Sequence, residues 1–196
     1  PERRGYYGCK VSKIGVHRDY PISLKWDIPT REYFDELERV AKRYIVWGCN
    51  YFDYHFASGR IVWNKCNEGS SFSDCEIAAT NCHDSVRLFH YMWNGMMQGK
   101  SITEGTVQQG NKSLNEKRIH PTQKPVKVLK KLIEIFTDPG DTVIDPCAGS
   151  GSTLRAAREL GRNSYGFELD KQFYRLAKDE MLKEPETVQI GLEGVV

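Results

Sequence analysis

Apolar residues recur at helical spacing in two clear stretches. Tyr33, Phe34, Leu37, Val40 and Ala41 share one face behind Pro29 and Thr30, and threonine is a residue type that caps helix N-termini. Val126, Leu129, Leu132, Ile133 and Phe136 form a second face behind Pro125, whose fixed φ suits a helix entrance. Short continuous apolar runs between these helices predict strands: Tyr44 to Trp47 ending at Gly48, Arg60 to Trp63, Glu76 to Thr80, and Val86 to Trp93. Thr142 to Asp145 and Ser164 to Glu168 predict two more, separated by a helix from about Thr153 to Leu160 that Gly161 stops. Phe173, Leu176 and Ala177 mark a last helix. The first 28 residues, with Gly5, Gly8, Gly15 and Pro21, carry no period. From Gly95 to Lys117 the pattern dissolves into Gly, Ser, Gln, Asn and Lys, which predicts a long loop, and loops of that length are commonly functional or disordered.

Strand–turn–helix–strand–helix in the second half predicts an α/β fold around a mostly parallel sheet with helices on both faces. The 196 residues, 39% of them hydrophobic, suit a single domain with a real core and argue against a disordered chain. No signal peptide and no apolar run of membrane-spanning length are visible, and together with the cysteine pattern this reads as a reduced, cytoplasmic protein. The six cysteines include no Cys-x-x-Cys pair, so no metal site is expected; Cys66, Cys75, Cys82 and His83 are the only cluster near enough in sequence to weigh. The chain opens at Pro1 rather than at methionine, which reads as a fragment or a processed form. A net charge of +2 says little about partners, but its distribution says more. Between Lys100 and Lys131 eight basic residues face two acidic ones, Glu104 and Glu116, a balance that suits a phosphate backbone as well as a solvated face.

The most informative stretch is Asp145-Pro146-Cys147-Ala148-Gly149-Ser150-Gly151-Ser152-Thr153, between a predicted strand and a predicted helix. Open α/β sheets bind ligands at that end of a strand, glycines let the backbone approach closely, and a helix N-terminus offers free N–H groups. A P-loop would need Gly-Lys-Ser/Thr, but Ser152 follows Gly151 directly. A dinucleotide fingerprint would need a third glycine where Leu154 stands. Asp145 before the turn and Glu168 about 20 residues past the glycines, the spacing at which an acid reaches ribose hydroxyls, instead suit a ligand with a cationic amino-acid end and a ribose. S-adenosylmethionine has both. Pro146-Cys147 resembles a nucleophile motif of cytosine-C5 methyltransferases, but it lies inside this turn with no basic neighbour to lower the thiol pKa, so Cys147 reads as a packing residue.

Three segments together resemble the β-class DNA amino-methyltransferases, which modify adenine N6 or cytosine N4. His120-Pro121-Thr122-Gln123-Lys124-Pro125 is similar to a family motif beside the cofactor, Asp145 to Thr153 to its cofactor loop, and Tyr165-Gly166-Phe167-Glu168-Leu169-Asp170 to its ribose- and adenine-binding segment. Ile45 to Phe52 and Arg60 to Lys65 resemble strands flanking the active site in phage-type members. The order, with the cofactor half last, is the family's circular permutation. Cys147 departs from the family's usual Phe. The catalytic tetrapeptide, Asp/Asn/Ser-Pro-Pro-Tyr, occurs nowhere in the chain, and Pro1 to Gly8 resembles the segment that follows it, so the motif is expected upstream of Pro1 and no catalytic residue is assigned.

The resemblance implies a Rossmann-like S-adenosylmethionine-dependent methyltransferase fold in which residues 1–94 are the catalytic half, 95–117 the target-recognition loop and 118–196 the cofactor half. Cofactor contacts are expected from His120, Thr122, Lys124, Pro125, Asp145, Ala148, Gly149, Ser150, Gly151, Ser152, Glu168 and Leu169. Asn50, Tyr51 and Phe52 are candidates for a base pocket, although Tyr51 and Phe52 read first as core aromatics; Lys100, Lys112 and Lys117 are candidates for the DNA backbone. The implied reaction moves a methyl group onto an exocyclic amine of a flipped DNA base, with adenine N6 favoured over cytosine N4, as in restriction–modification systems. An RNA methyltransferase and an inactive cofactor- or DNA-binding fragment remain as alternatives.

Overall fold

The computed structural model describes residues 28–68, 73–94, 97–105 and 107–183. The Pro1 to Gly8 segment lies outside the described residues. Helix α1 (Arg31–Val40) follows Thr30 and buries Phe34. Four strands come next: β1 (Ile45–Trp47), β2 (Gly59–Asn64), β3 (Cys75–Thr80) and β4 (Val86–His90). They form one sheet in the order β1-β3-β2-β4. A hairpin of β5 (Trp93–Asn94) and β6 (Met97–Gln98) leads on to α2 (Val126–Phe136), and the chain then runs β7 (Thr142–Asp145), α3 (Ser152–Glu159), β8 (Asn163–Gly166) and α4 (Lys171–Leu176). A π-helical turn over Ala177–Met181 continues α4.

Alternation of side chains along each strand divides the core between the two faces of the four-stranded sheet. Val46 and Ala79 face α1, where they meet Phe34, Tyr44 and Phe56. Ile61, Trp63 and Ala78 face the other way and meet Val128 and Leu132 of α2. Helices therefore cover both faces of this sheet. The next turn positions of α2, Leu129 and Ile133, join a separate cluster with Ala156 and Ala157 of α3 and Met181. Helix α2 thus has two apolar faces and serves two cores.

The α/β architecture agrees with the sequence reading, but the strand pairing is less parallel than expected. Among the described residues β2–β4 and β7–β8 are parallel, whereas β1–β3, β2–β3 and β5–β6 are antiparallel. The cause is that β3 runs back between β1 and β2. The predicted loop after Gly95 is also more ordered than its composition suggests. Gly99 bridges Gln108, Lys100 N–H donates to the Val107 carbonyl, and a 3-10 turn at Lys112–Leu114 is capped by the Asn111 side chain.

Because α2 serves two cores, truncating its sheet-facing side should be costly. Leu132, 2% exposed, should lose about 2–5 kcal/mol of stability on replacement by alanine. Ile135, 48% exposed on the same helix, should change by less than about 0.5 kcal/mol in the same denaturant titration.

Candidate cofactor site

Strand β7 ends in Asp145, and the chain then turns through the glycine loop into α3. The Asp145 carboxylate accepts the Cys147 N–H at 3.1 Å, and the Asp145 carbonyl accepts Phe167 N–H at 3.0 Å, so the loop is tied to β8 at its root. Gly149 and Gly151 both have positive φ, 51° and 77°. At Gly149 the positive φ favours glycine, and a Cβ there would lie in ordinary contact with the His120 ring at 3.4 Å. The glycine permits the left-handed turn, and the imidazole lies directly on the loop. Ser150 and Ser152 are buried and share a hydroxyl–hydroxyl bond of 2.7 Å under the start of α3.

Glu168 closes the other side. Its carboxylate accepts the Gly149 N–H at 2.9 Å and the Asp170 N–H at 2.7 Å, linking the end of β8 to the glycine loop. Each of its oxygens keeps acceptor capacity for a further donor. Asp170 in turn caps α4, accepting from Gln172 and Phe173 N–H. A shallow cleft beside the loop is lined by Ala148, Gly149, Gly151 and Glu168 together with Tyr174 and Lys178.

His120 packs edge-on against Phe173, with ring centroids 4.1 Å apart. Its Nδ1 accepts the Thr122 N–H at 3.3 Å, with the Thr122 hydroxyl also 3.1 Å away. An Nδ1 that accepts leaves the proton on Nε2. Burial pulls the His120 pKa below its ordinary value and the Lys124 ammonium adds to that, while Glu168 and Asp170 oppose it. The ring is therefore a neutral donor beside the loop at neutral pH.

Of the expected cofactor residues, Ala148, Gly149, Gly151 and Glu168 line this cleft; His120, Thr122, Asp145, Ser150 and Ser152 lie outside its lining. The Lys124 ammonium lies 3.4 Å from the Glu76 carboxylate on β3, which also holds Lys65 at 2.9 Å. Lys124 sits over the Trp47 ring and Lys65 over the Trp63 ring, both at 5.5 Å. Burial pushes the Glu76 carboxyl up, but the two ammoniums outweigh it and hold the group below the usual carboxylate range. Pro125 is buried and serves as the N-cap residue of α2. Leu169 is 95% exposed. Of the base-pocket candidates, Asn50 and Tyr51 are exposed on a 3-10 turn, Tyr51 by 71%, while Phe52 packs on Phe34 at 5.1 Å. Phe52 is thus a core aromatic. Lys100 and Lys112 are exposed, and Lys117 is paired with Glu180 at 2.8 Å.

Two residues with large local effects escaped the sequence reading. Glu76 stands at the start of a strand with nothing in the sequence to show that two distant lysines converge on it. Tyr33 reaches from α1 to the glycine loop, its hydroxyl 3.8 Å from Cys147 Sγ. Burial drives both the Tyr33 and the Cys147 pKa upward, so the thiol has no thiolate character, in keeping with a packing role.

The architecture is thus an α/β fold in which a glycine loop, the Glu168 carboxylate and the His120 segment meet at the end of a parallel strand, where open α/β sheets commonly bind ligands. Residues 89–179, which contain all three segments, match the sequence model of a family described as DNA methylase. The chain is 40% identical over 139 residues to the type II methyltransferase M2.DpnII of Streptococcus pneumoniae, a match covering 71% of this chain and 47% of that protein. Over 99 residues it is 35% identical to the type II methyltransferase M.HindIII of Haemophilus influenzae, covering 44% of this chain and 31% of that protein. The chain spans less than half the length of each of these relatives. Among solved structures it is similar to the M1.HpyAVI–SAM complex, at 29% identity and a TM-score of 0.40, over 61% of this chain and 59% of that one.

If Lys124 is a structural clamp on Glu76, the two residues must be energetically coupled. Glu76→Gln and Lys124→Met should each destabilise the fold, and the double variant should fall short of their sum by about 0.5–3 kcal/mol in denaturant titrations. Additive losses would return Lys124 to the cofactor cleft.

Proposed function

We propose that this protein transfers a methyl group from S-adenosylmethionine to an exocyclic amine of a DNA base, adenine N6 ahead of cytosine N4. The observation that carries the reading is the convergence of three sequence-distant segments. The His120 ring lies on Gly149, and Glu168 holds the Gly149 N–H, so the His120 segment, the glycine loop and the end of β8 meet at one place.

The residues present fit S-adenosylmethionine on several counts. The bare backbone at Gly149 and Gly151 allows close approach. Glu168 offers unused carboxylate lone pairs to a diol, and Asp145 places a second carboxylate at the root of the loop for a cationic ammonium. A neutral His120 adds no positive charge beside a sulfonium. When bound, the cofactor supplies an electrophilic methyl group on sulfur. Thr122 would hold the His120 tautomer, and Ala148, Ser150 and Ser152 would shape the loop around the ligand. The acceptor amine must be held in line with that methyl, a task of positioning rather than covalent catalysis. Among the described residues β1 pairs only with β3 and β7 only with β8, which leaves an edge on each. A strand bearing the groups that accept the amine's N–H bonds would insert at these edges, close to where Tyr33 meets Cys147.

On the DNA side, the segment that continues the hairpin beyond β6 presents Lys100 and Lys112 to solvent, whereas Lys117 is engaged by Glu180. Two measurements check the proposal together. Glu168→Ala should weaken S-adenosylmethionine binding at least about tenfold in calorimetry, since charge-assisted bonds contribute roughly 1.5–3 kcal/mol each. Lys100→Ala with Lys112→Ala should reduce the slope of log K against log salt for duplex DNA by about 1.8, with Lys117→Ala adding little. Unchanged cofactor affinity refutes the first assignment, and an unchanged slope moves the DNA contact off this hairpin.

A further inference from the structure

Glu116 is the one acid between Lys112 and Lys131, yet it is turned inward rather than set among the lysines. Its carboxylate accepts two N–H groups: the Gln123 side-chain amide at 2.8 Å and the backbone N–H of Val126, the first residue of α2, at 2.9 Å. Burial raises its pKa, and these two bonds offset only part of that cost. A carboxylate suits the place because two donors converge on it and one belongs to a helix N-terminus.

Both neighbours of Glu116 are buried amides. Gln98, 4% exposed at the base of the hairpin, donates to the Glu116 carbonyl and accepts the Glu116 N–H, each at 2.7 Å. A side chain here does the work of a paired strand, fixing where the hairpin leaves the body. Gln123, also 4% exposed, accepts the Ile119 N–H at 2.8 Å and donates to the Lys117 carbonyl at 3.0 Å besides Glu116. Its backbone N–H donates to the His120 carbonyl at 3.2 Å, closing the turn that sets His120 on Gly149. An unbroken chain of hydrogen bonds and packing thus runs from the hairpin through Gln98, Glu116, Gln123 and His120 to the glycine loop. Each link is buried or part-buried, so no water competes for it freely.

We infer that Glu116, with Gln98 and Gln123, is a positioning hub that couples DNA engagement at the hairpin to cofactor binding at the glycine loop, with positive sign. The inference rests on the cofactor and DNA reading above. The sign follows from ordering: a ligand that rigidifies one end of a shared network lowers the cost of ordering the other end for a second ligand. By linkage the effect must be reciprocal.

The test is a calorimetric titration of the full chain with S-adenosylhomocysteine, a non-reacting form of the cofactor, with and without a saturating unmethylated DNA duplex of mixed sequence at low salt. In the unsubstituted protein DNA should tighten S-adenosylhomocysteine binding by roughly fivefold or more. Glu116→Gln keeps an acceptor for Val126 but sets an amide against the Gln123 amide, and Gln98→Met cuts only the hairpin side. Each should bring the ratio to within about twofold, with far-ultraviolet circular dichroism and affinity in the absence of DNA retained. A merely structural role would lower the melting temperature and leave the ratio unmoved. An unchanged ratio in Gln98→Met, or a ratio near one in the unsubstituted protein, overturns the inference; if Glu116→Gln does not fold, Gln98→Met alone decides. Failure of the unsubstituted protein to bind S-adenosylhomocysteine at all, or DNA at all, would instead refute the functional reading.

Discussion

The contact between the His120 ring and the backbone of Gly149 is the constraint on which the candidate site depends. It brings together segments almost thirty residues apart in the chain, at a position whose left-handed φ favours glycine. Glu168 reinforces it from the opposite side by taking the Gly149 N–H. A loop held on both sides in this way is preorganised, so a ligand entering it spends little on ordering the backbone.

Around that contact the protein is assembled through one helix and two half-buried acids. Helix α2 stands between the four-stranded sheet and the α3 layer and contributes side chains to both cores. The segment that precedes it is fastened twice. Lys124 is clamped onto Glu76 of β3, and Gln123 onto Glu116 at the base of the hairpin. Two neighbouring positions of one short motif thus reach in different directions, one to the sheet and one to the hairpin, while His120 reaches the glycine loop. A motif with this many partners works as a junction as well as a binding element.

Much of this was legible in the residue pattern, and the reasons differ by element. Val126 to Phe136 was bounded correctly because its apolar period is strong and Pro125 marks the entrance. Thr142 to Asp145, the glycine turn and the following helix were legible because turn chemistry and periodicity agree there. The hairpin after Gly95 was not, since its order comes from the Gln98, Asn111 and Glu116 side chains bonding to backbone, and polar residues of that kind read as loop. Glu76 was invisible because its partners, Lys65 and Lys124, are brought to it only by the fold. The antiparallel return of β3 was also out of reach, since apolar runs state that a strand exists but not which way its neighbour points. Lys124 and Leu169 show the limit of carrying a motif over residue by residue: position in a segment did not foretell that one side chain would turn to the sheet and the other to solvent.

The central claim is that the unadorned backbone at position 149 holds the cofactor loop and the His120 segment together for S-adenosylmethionine. Calorimetry of Gly149→Ala against the unsubstituted chain tests it most directly. The added methyl must be held at positive φ, which strains the cofactor loop, so binding should weaken at least about tenfold, the equivalent of roughly 1.4 kcal/mol, while circular dichroism reports an intact fold. Binding of S-adenosylmethionine to Gly149→Ala with the affinity of the unsubstituted protein would contradict the account.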